Sequence, residues 1–516
     1  MALSPGDPNS HSRPDIHTSL SLHFDWDIDF KQRKVIGETT ITFLRKKDDK
    51  QLFLDVNTLD IEWVKYCDDE DANKKKLPFT VGPHGCCGSK LDVSLPDDAS
   101  SPQFSLTIRH TSDPESPALL WMDKAQTSGK SHPFVFSQGQ AILNRALFPC
   151  QDSPAVKTPY TATVRAPSEL LVLMSALSIG EPREVSPGVM EYRFEQKVPI
   201  PSYLVAFAAG KLESREIGPR SFVYAEQEYI DKAAFDFSET EDKLKVAEDI
   251  CGPYLWGRYD ILVLPPSFAY GGMENPCLTF VTPTLLTGDK SNSDVIAHEI
   301  THSWTGNLIT NSNFEHFWLN EGFTVFIERK IKGRLKGEAE RHFTTQLRWN
   351  ELLECVNQEF NPQHEYTKLV PNLTGIDPDD AFCRVPYEKG STFLWYLEEL
   401  VGGGDKFEPF LKAYFNKFAY KSLDTDEFKT YFLTYFTDTD AVSSIDWNTW
   451  LYKPGMPPYQ PNFDKTLAEE AWTLADKWVY WDKNEVNPFI KTNKTKYLGL
   501  QLFDPLGISS LTINAP

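Results

Sequence analysis

Two histidines, His298 and His302, stand four residues apart in "DVIAHEITHSWTGNLI" (294–309), and Glu299 directly follows the first. On a helix, four residues turn through about 400°, so both imidazoles project from one face, one turn apart. Such a pair can grip one ion. Catalytic zinc takes nitrogen ligands at about 2.0–2.1 Å and uses three protein ligands plus one open position. Glu299 can reach that position without binding the metal, which suits a general base. Alone, the motif could equally be a solvated helix face carrying His and Glu. A third ligand decides between them: Glu321 in "FWLNEGFTVFIERKI" follows His302 with eighteen residues between and opens a second apolar-periodic stretch. Glu328, seven residues further on the same face, reads as a solvated carboxylate in preference to a partner of the ligands.

The surrounding elements must hold these groups. Ser291 or Ser293 is expected to cap the histidine helix, with Asp294 in its first turn and Ile296 and Ile300 toward a core. From about 18 to 210 the pattern alternates with period two, as in "LHFDWDIDF" (22–30) and "FSLTIRH" (104–110), and predicts an antiparallel β domain. Helical spacing takes over near 235 and dominates from 291 to about 450. "YKPGMPPYQPNF" (452–463) reads as a linker. The expected division is a disordered tail at 1–17, a β domain at 18–211, a mixed α/β catalytic domain at 212–451, a Pro-rich linker at 452–464 and a short helical segment at 465–516.

At 516 residues and 58.8 kDa the chain exceeds one hydrophobic core. Acidic residues outnumber basic ones 73 to 52, a formal charge of -21. That balance argues against nucleic acid or an anionic membrane as the main partner and suits a site that accepts amines. No stretch has signal-peptide or membrane-span length, and the eight cysteines lack zinc-finger spacing. The expectation is a cytoplasmic, monomeric protein with reduced thiols.

"GGMENP" (271–276), lying upstream of His-Glu-x-x-His and Glu321, resembles the gluzincin zinc aminopeptidases. "PPSFAYGGMENPCLTFVTPTLLTGDKS", "HFWLNEGFTVFIER", "TGIDPDDAF", "VPYEKG" and "FSQGQAI" bring the resemblance closer, to the leukotriene A(4) hydrolase and aminopeptidase B subfamily, over about 18–489. It implies an N-terminal β-sheet domain, a thermolysin-like α/β zinc catalytic domain and a helical C-terminal domain. It also implies one zinc ion on His298, His302 and Glu321, with Glu299 as base and Tyr387 as donor to the oxyanion. Glu274 becomes the carboxylate that binds a free N-terminal amine, with Gly271 and Gly272 allowing close backbone approach. Gln138, Gln140 and Tyr270 match subsite positions, although the glutamines alone could be loop surface. Peptides with a free N-terminus are the implied substrates. A lipid epoxide is the second implied class, with Asp379 directing water to it.

Two departures qualify the resemblance. Phe382 stands where the family commonly has tyrosine, and after about 489 the sequence no longer aligns, so most of the helical C-terminal domain is missing. A competing expectation is therefore a catalytically weak truncated isoform acting by binding substrate or a full-length partner. "GGMEN" disfavours an endopeptidase, because an amine-binding carboxylate blocks chain extension.

Overall fold

Alternation becomes strand throughout the first two hundred residues. The computed structural model describes residues 4–67 and 75–479. In the strand His17–Asp29, Leu22, Phe24, Trp26 and Ile28 are buried while His23 and Asp27 are exposed. Phe24 and Trp26 pack at 4.3 Å with their rings tilted, and Phe148 closes on Phe24 at 4.8 Å, edge to face. This strand lies near the middle of a sheet with nine described strands. Its neighbours are the hairpin partner Lys34–Arg45, antiparallel, and Lys157–Pro167, which runs parallel to it from Leu22↔Tyr160 to Asp27↔Arg165. The sheet is thus mixed, a correction to the antiparallel expectation. The physical reason is the connection: Lys157–Pro167 returns after more than a hundred residues, long enough for the crossover that parallel pairing needs. Smaller sheets of four and three strands complete this domain.

The expected disordered tail is also corrected. Within its described part, Asp7, Asn9, Ser10, His11 and Ser12 are buried. Ser10 Oγ donates to Asp55 at 2.6 Å and the His11 N–H donates to the same carboxylate at 2.7 Å. Arg145, itself buried between Asp55 and Asp152, donates to the Asn9 carbonyl at 2.9 Å. Asn9 Nδ2 donates to the carbonyls of Ile376 at 2.8 Å and Leu373 at 3.2 Å. Low hydrophobicity pointed to disorder, but short polar side chains pack well when each finds a partner.

The second half contains a five-stranded sheet in the order Glu213–Gly218, Ser221–Ala225, Asp260–Val263, Leu278–Val281, Gly272–Met273. Its three inner strands are parallel and the edge strand Gly272–Met273 is antiparallel. Helices pack around it. Three of them build the site: the histidine helix Asp294–His302, the glutamate helix Trp318–Lys336 and the tyrosine helix Val385–Val401. The last two cross at a glycine pair. A Cβ on Gly390 would sit 2.9 Å from Gly322 Cα, and one on Gly322 would meet Gly390 Cα at the same distance. Backbone-to-backbone approach brings Glu321 and Tyr387, one and three residues away, to the same end of the crossing. Gly390→Ala should cost about 1–3 kcal/mol by overpacking. A lowered thermal midpoint with reduced kcat would report it.

Helix Trp447–Tyr452 is followed by irregular chain and then by helix Thr466–Val479. The rest of the expected 465–516 segment, with its unalignable end, lies outside the described residues. Among the described residues no helix is long and apolar enough to cross a membrane.

Candidate metal centre and substrate cleft

The histidine helix starts as its first turn dictates, though not by the expected cap. Ser293 occupies the N-cap position without a side-chain cap bond, and its hydroxyl instead receives Lys243 Nζ at 3.3 Å. Asp294 bridges to Lys332 at 2.9 Å and Lys336 at 2.8 Å, tying this helix to the glutamate helix.

His298 and His302 present Nε2 atoms 3.1 Å apart, and Glu321 Oε2 lies 3.4 Å from the first and 3.5 Å from the second. A tetrahedral ion with ligands at about 2.0–2.1 Å has edges of about 3.3–3.4 Å between ligand atoms. The triangle fits. The hydrogen-bond pattern fits too. His302 Nδ1 donates to the Thr305 carbonyl at 2.9 Å, and His298 Nδ1 donates to Glu328 Oε2 at 2.9 Å. With Nδ1 committed as a donor, Nε2 is the nitrogen each ring presents to the centre of the triangle. Glu321 Oε2 is buried and has no hydrogen-bond partner. Two Nε2 atoms beside a buried carboxylate oxygen that lacks a hydrogen-bond donor suit a cation, and the nitrogen-rich donor set suits zinc.

Glu328 is thus a partner of a ligand and not a solvated carboxylate, a correction with a simple cause. Seven residues are two helical turns, so it shares the face of Glu321 and reaches the far side of His298. Glu328→Gln should weaken zinc affinity about 10–100-fold, measurable by competition with a chromophoric chelator.

Glu299 is 5% exposed and its Oε2 has no partner, poised for a group that the protein itself does not supply. Gly272 packs against it so tightly that a Cβ there would lie 2.2 Å from Glu299 Oε1. Glu274 is equally buried, and its carboxylate lies with those of Glu299 and a nitrogen of His302 within 4.8 Å of one another. Gln140 Nε2 donates to Glu274 Oε1 at 3.2 Å. Burial first, then the other carboxylates, lifts Glu299 well above the usual carboxylate range while His298 opposes the shift. Burial likewise raises Glu274. Tyr387 stacks beside the His298 ring at 6.3 Å, and burial followed by Glu321, Glu274 and Glu299 holds its proton firmly. Its hydroxyl is a donor across the working range.

One cleft joins these groups. It is lined by Gln140, Tyr270, Gly272, Glu274, His298, Glu299, His302, Glu321, Asp379, Phe382 and Tyr387. Two of the expected positions sit elsewhere. Gln138 is buried behind the cleft and donates to Met273 Sδ at 3.3 Å, and Gly271 is not part of the lining. Glu315, Phe317, Tyr366 and Lys368 line the cleft without having been singled out; they lie in irregular or 3₁₀ segments where spacing carries no signal. Lys368 is paired with Glu365 at 2.5 Å, leaving the cleft dominated by carboxylates. Such a cleft favours positive charge in whatever it binds.

The Peptidase family M1 domain matches residues 235–450, and the Peptidase M1 N-terminal domain matches residues 14–204. The chain is 46% identical over 507 residues to a leukotriene A-4 hydrolase of Xenopus laevis, covering 97% of this chain and 82% of that one. A leucine aminopeptidase 2 of Yarrowia lipolytica is 44% identical over 479 residues, covering 91% and 71%. Among solved structures, the yeast LTA4 hydrolase in complex with bestatin superposes with a TM-score of 0.85 at 41% identity, covering 92% of this chain and 73% of that one.

Proposed function

Because the chain belongs to peptidase family M1, we propose that it removes N-terminal residues from peptides, using one zinc ion held by His298, His302 and Glu321. Zinc, when bound, supplies Lewis acidity that polarises a carbonyl and lowers the pKa of water. The chain's own residues do the rest. Glu274 binds the substrate's ammonium by a charge-assisted hydrogen bond and fixes the scissile bond one residue away. Glu299 takes a proton from the attacking water and returns it to the leaving amine. Tyr387 donates its hydroxyl to the developing oxyanion. Tyr387→Phe should lower kcat about 10²–10³-fold, the usual cost of losing one such donor. KM and zinc content should stay near wild type.

The observation that carries this reading is the buried Glu274 carboxylate beside the histidine and glutamate cluster, an acceptor suited to a free amine. The test compares an amino-acid amide with its N-acetylated form, each with and without chelator. Release from the free amide alone, lost on chelation, is expected. Equal cleavage of the acetylated substrate would sink the reading.

A lipid epoxide is the second substrate class, supported by the apolar side of the cleft. Tyr270 meets Phe382 edge-on at 6.2 Å, and Phe382 meets Tyr387 at 6.0 Å. Asp379 lies on the same wall, beside the Ala141 N–H at 3.3 Å. Product analysis with a conjugated lipid epoxide decides it. The competing reading, a catalytically weak form acting by binding, is not favoured, since base, amine-binding and ligand residues share one cleft. Cytoplasmic location is part of the proposal and is supported by eight free cysteines. So is action as a monomer. The domain limits of 18–211 and 212–451 are supported by the two matched stretches.

A further inference from the structure

The amino-terminal segment reaches the cleft at two places without lining it. Asn9 is fully buried, and its Nδ2 donates to the carbonyls of Ile376 at 2.8 Å and Leu373 at 3.2 Å. Gly6 offers its carbonyl to Asn313 Nδ2 at 2.8 Å. Both contacts lead to lining residues. Asn313 caps the 3₁₀ turn Phe314–His316, its Oδ1 accepting the Glu315 N–H at 2.9 Å. Glu315 Oε1 in turn accepts the Leu373 N–H at 2.8 Å. Glu315 and Leu373 both line the cleft, while Gly6, Asn9 and Asn313 do not. The bonds therefore close a ring that runs from Gly6 through Asn313, Glu315 and Leu373 to Asn9.

The side of the ring from Gly6 to Asn9 is fixed in the β domain. Ser10 and His11 hold Asp55, and Arg145 holds the Asn9 carbonyl. The Ser4 N–H donates to the Ser10 carbonyl at 2.8 Å and folds the segment back on itself. The opposite side is less well supported by its own structure. Leu373 lies in irregular chain between the 3₁₀ turns Glu365–Thr367 and Pro378–Ala381. No helix or sheet ladder sets its place there, so its backbone groups depend on side chains for their partners. Asn9 grips the carbonyl and Glu315 grips the N–H.

We propose that residues 4–12 form a strap that sets the width of the cleft between Glu315 and Leu373. Asn9 is its positioning residue, acting through Leu373 on the affinity for the peptides that the aminopeptidase reading assigns to this cleft. No bond of the ring involves His298, His302, Glu321 or Glu299. Loosening it removes binding shared by ground state and transition state, which raises KM and leaves kcat alone.

The test uses two variants of the full-length, zinc-loaded chain. Asn9→Leu keeps the size of the side chain and removes its donors. Asn313→Asp keeps the cap on Glu315 and removes only the donor to Gly6. Each should raise KM on an amino-acid amide about three- to tenfold, the worth of one or two hydrogen bonds, with kcat per bound zinc unchanged. Hydrogen exchange should quicken in peptides covering 366–382 and match wild type over the histidine helix. A general loss of structure would instead lower kcat per zinc and the thermal midpoint while KM held. That pattern, an unchanged KM in either folded variant, or wild-type exchange over 366–382 would each overturn the strap. If Asn9→Leu does not fold, Asn313→Asp decides alone. If the wild-type protein leaves the amide intact, the aminopeptidase reading fails, and the exchange rates still decide whether the strap holds this wall.

Discussion

Glu299→Gln is expected to lower kcat about 10²–10⁴-fold, the contribution of a positioned general base, while zinc content stays at the wild-type value. Glutamine keeps the shape of the side chain, and shape matters here because Gly272 backbone closes directly on it. A shorter residue would leave a gap beside the ligands and confuse loss of the base with collapse of the site. What glutamine cannot do is accept a proton. The side chain is 5% exposed, and its Oε2 has no protein partner to replace, so the substitution breaks little else. Single-turnover rates on an amino-acid amide and metal analysis of the same preparation give the two readouts. If kcat stays within tenfold of wild type, the proton goes to another group and the assignment of Glu299 is wrong.

The site was more legible in the sequence than the fold around it. His298, His302, Glu321 and Glu299 all lie on helices, where fixed periodicity turns spacing into direction. Glu328 was visible by the same rule and was misjudged, because spacing tells which face a carboxylate occupies and not what stands opposite it. Its partner, His298 Nδ1, is a group thirty residues away. Tyr387 and Glu274 were legible only through the resemblance. Nothing local in "VPYEKG" says that Gly390 will meet Gly322 at backbone distance, yet that contact aims the tyrosine. The parallel pairing of His17–Asp29 with Lys157–Pro167 was hidden for a related reason. Alternation fixes which face of a strand is buried and is silent on the direction of its neighbour.

The amino-terminal segment failed differently. A run of Pro, Ser, Asp and His has too little apolar surface to order itself, and the inference of disorder was sound for an isolated peptide. Its order is supplied from outside, by Asp55, Arg145 and the carbonyls of Leu373 and Ile376. Two of those partners belong to the stretch 366–382, which forms one wall of the cleft. The wall is therefore held at its middle by Asn9, although no single stretch of sequence announces the contact.

Stripping zinc from the protein should lower its thermal midpoint by on the order of 10 °C. A ligand that binds only the native state at about a thousand times its Kd contributes about 4 kcal/mol, and about 2–4 °C follows from each kcal/mol in a domain of this size. The apo site also keeps costs that the cation offsets. Glu321 Oε2 stays buried without a hydrogen-bond partner, and the two Nε2 atoms crowd together at 3.1 Å. Glu274, Glu299 and Glu328 add three more buried or half-buried carboxyl groups around them. Glu321→Gln separates the metal from its consequences: the amide removes one charge and one strong oxygen ligand while filling the same volume. The variant should purify with little zinc, show no amide hydrolysis, and melt at one temperature with or without chelator. It should also melt above the wild-type apo protein, because it buries one carboxylate fewer. A variant that still gains stability from added zinc, to the wild-type extent, would mean that Glu321 is a bystander and the third ligand lies elsewhere, with Glu274 the nearest carboxylate able to serve.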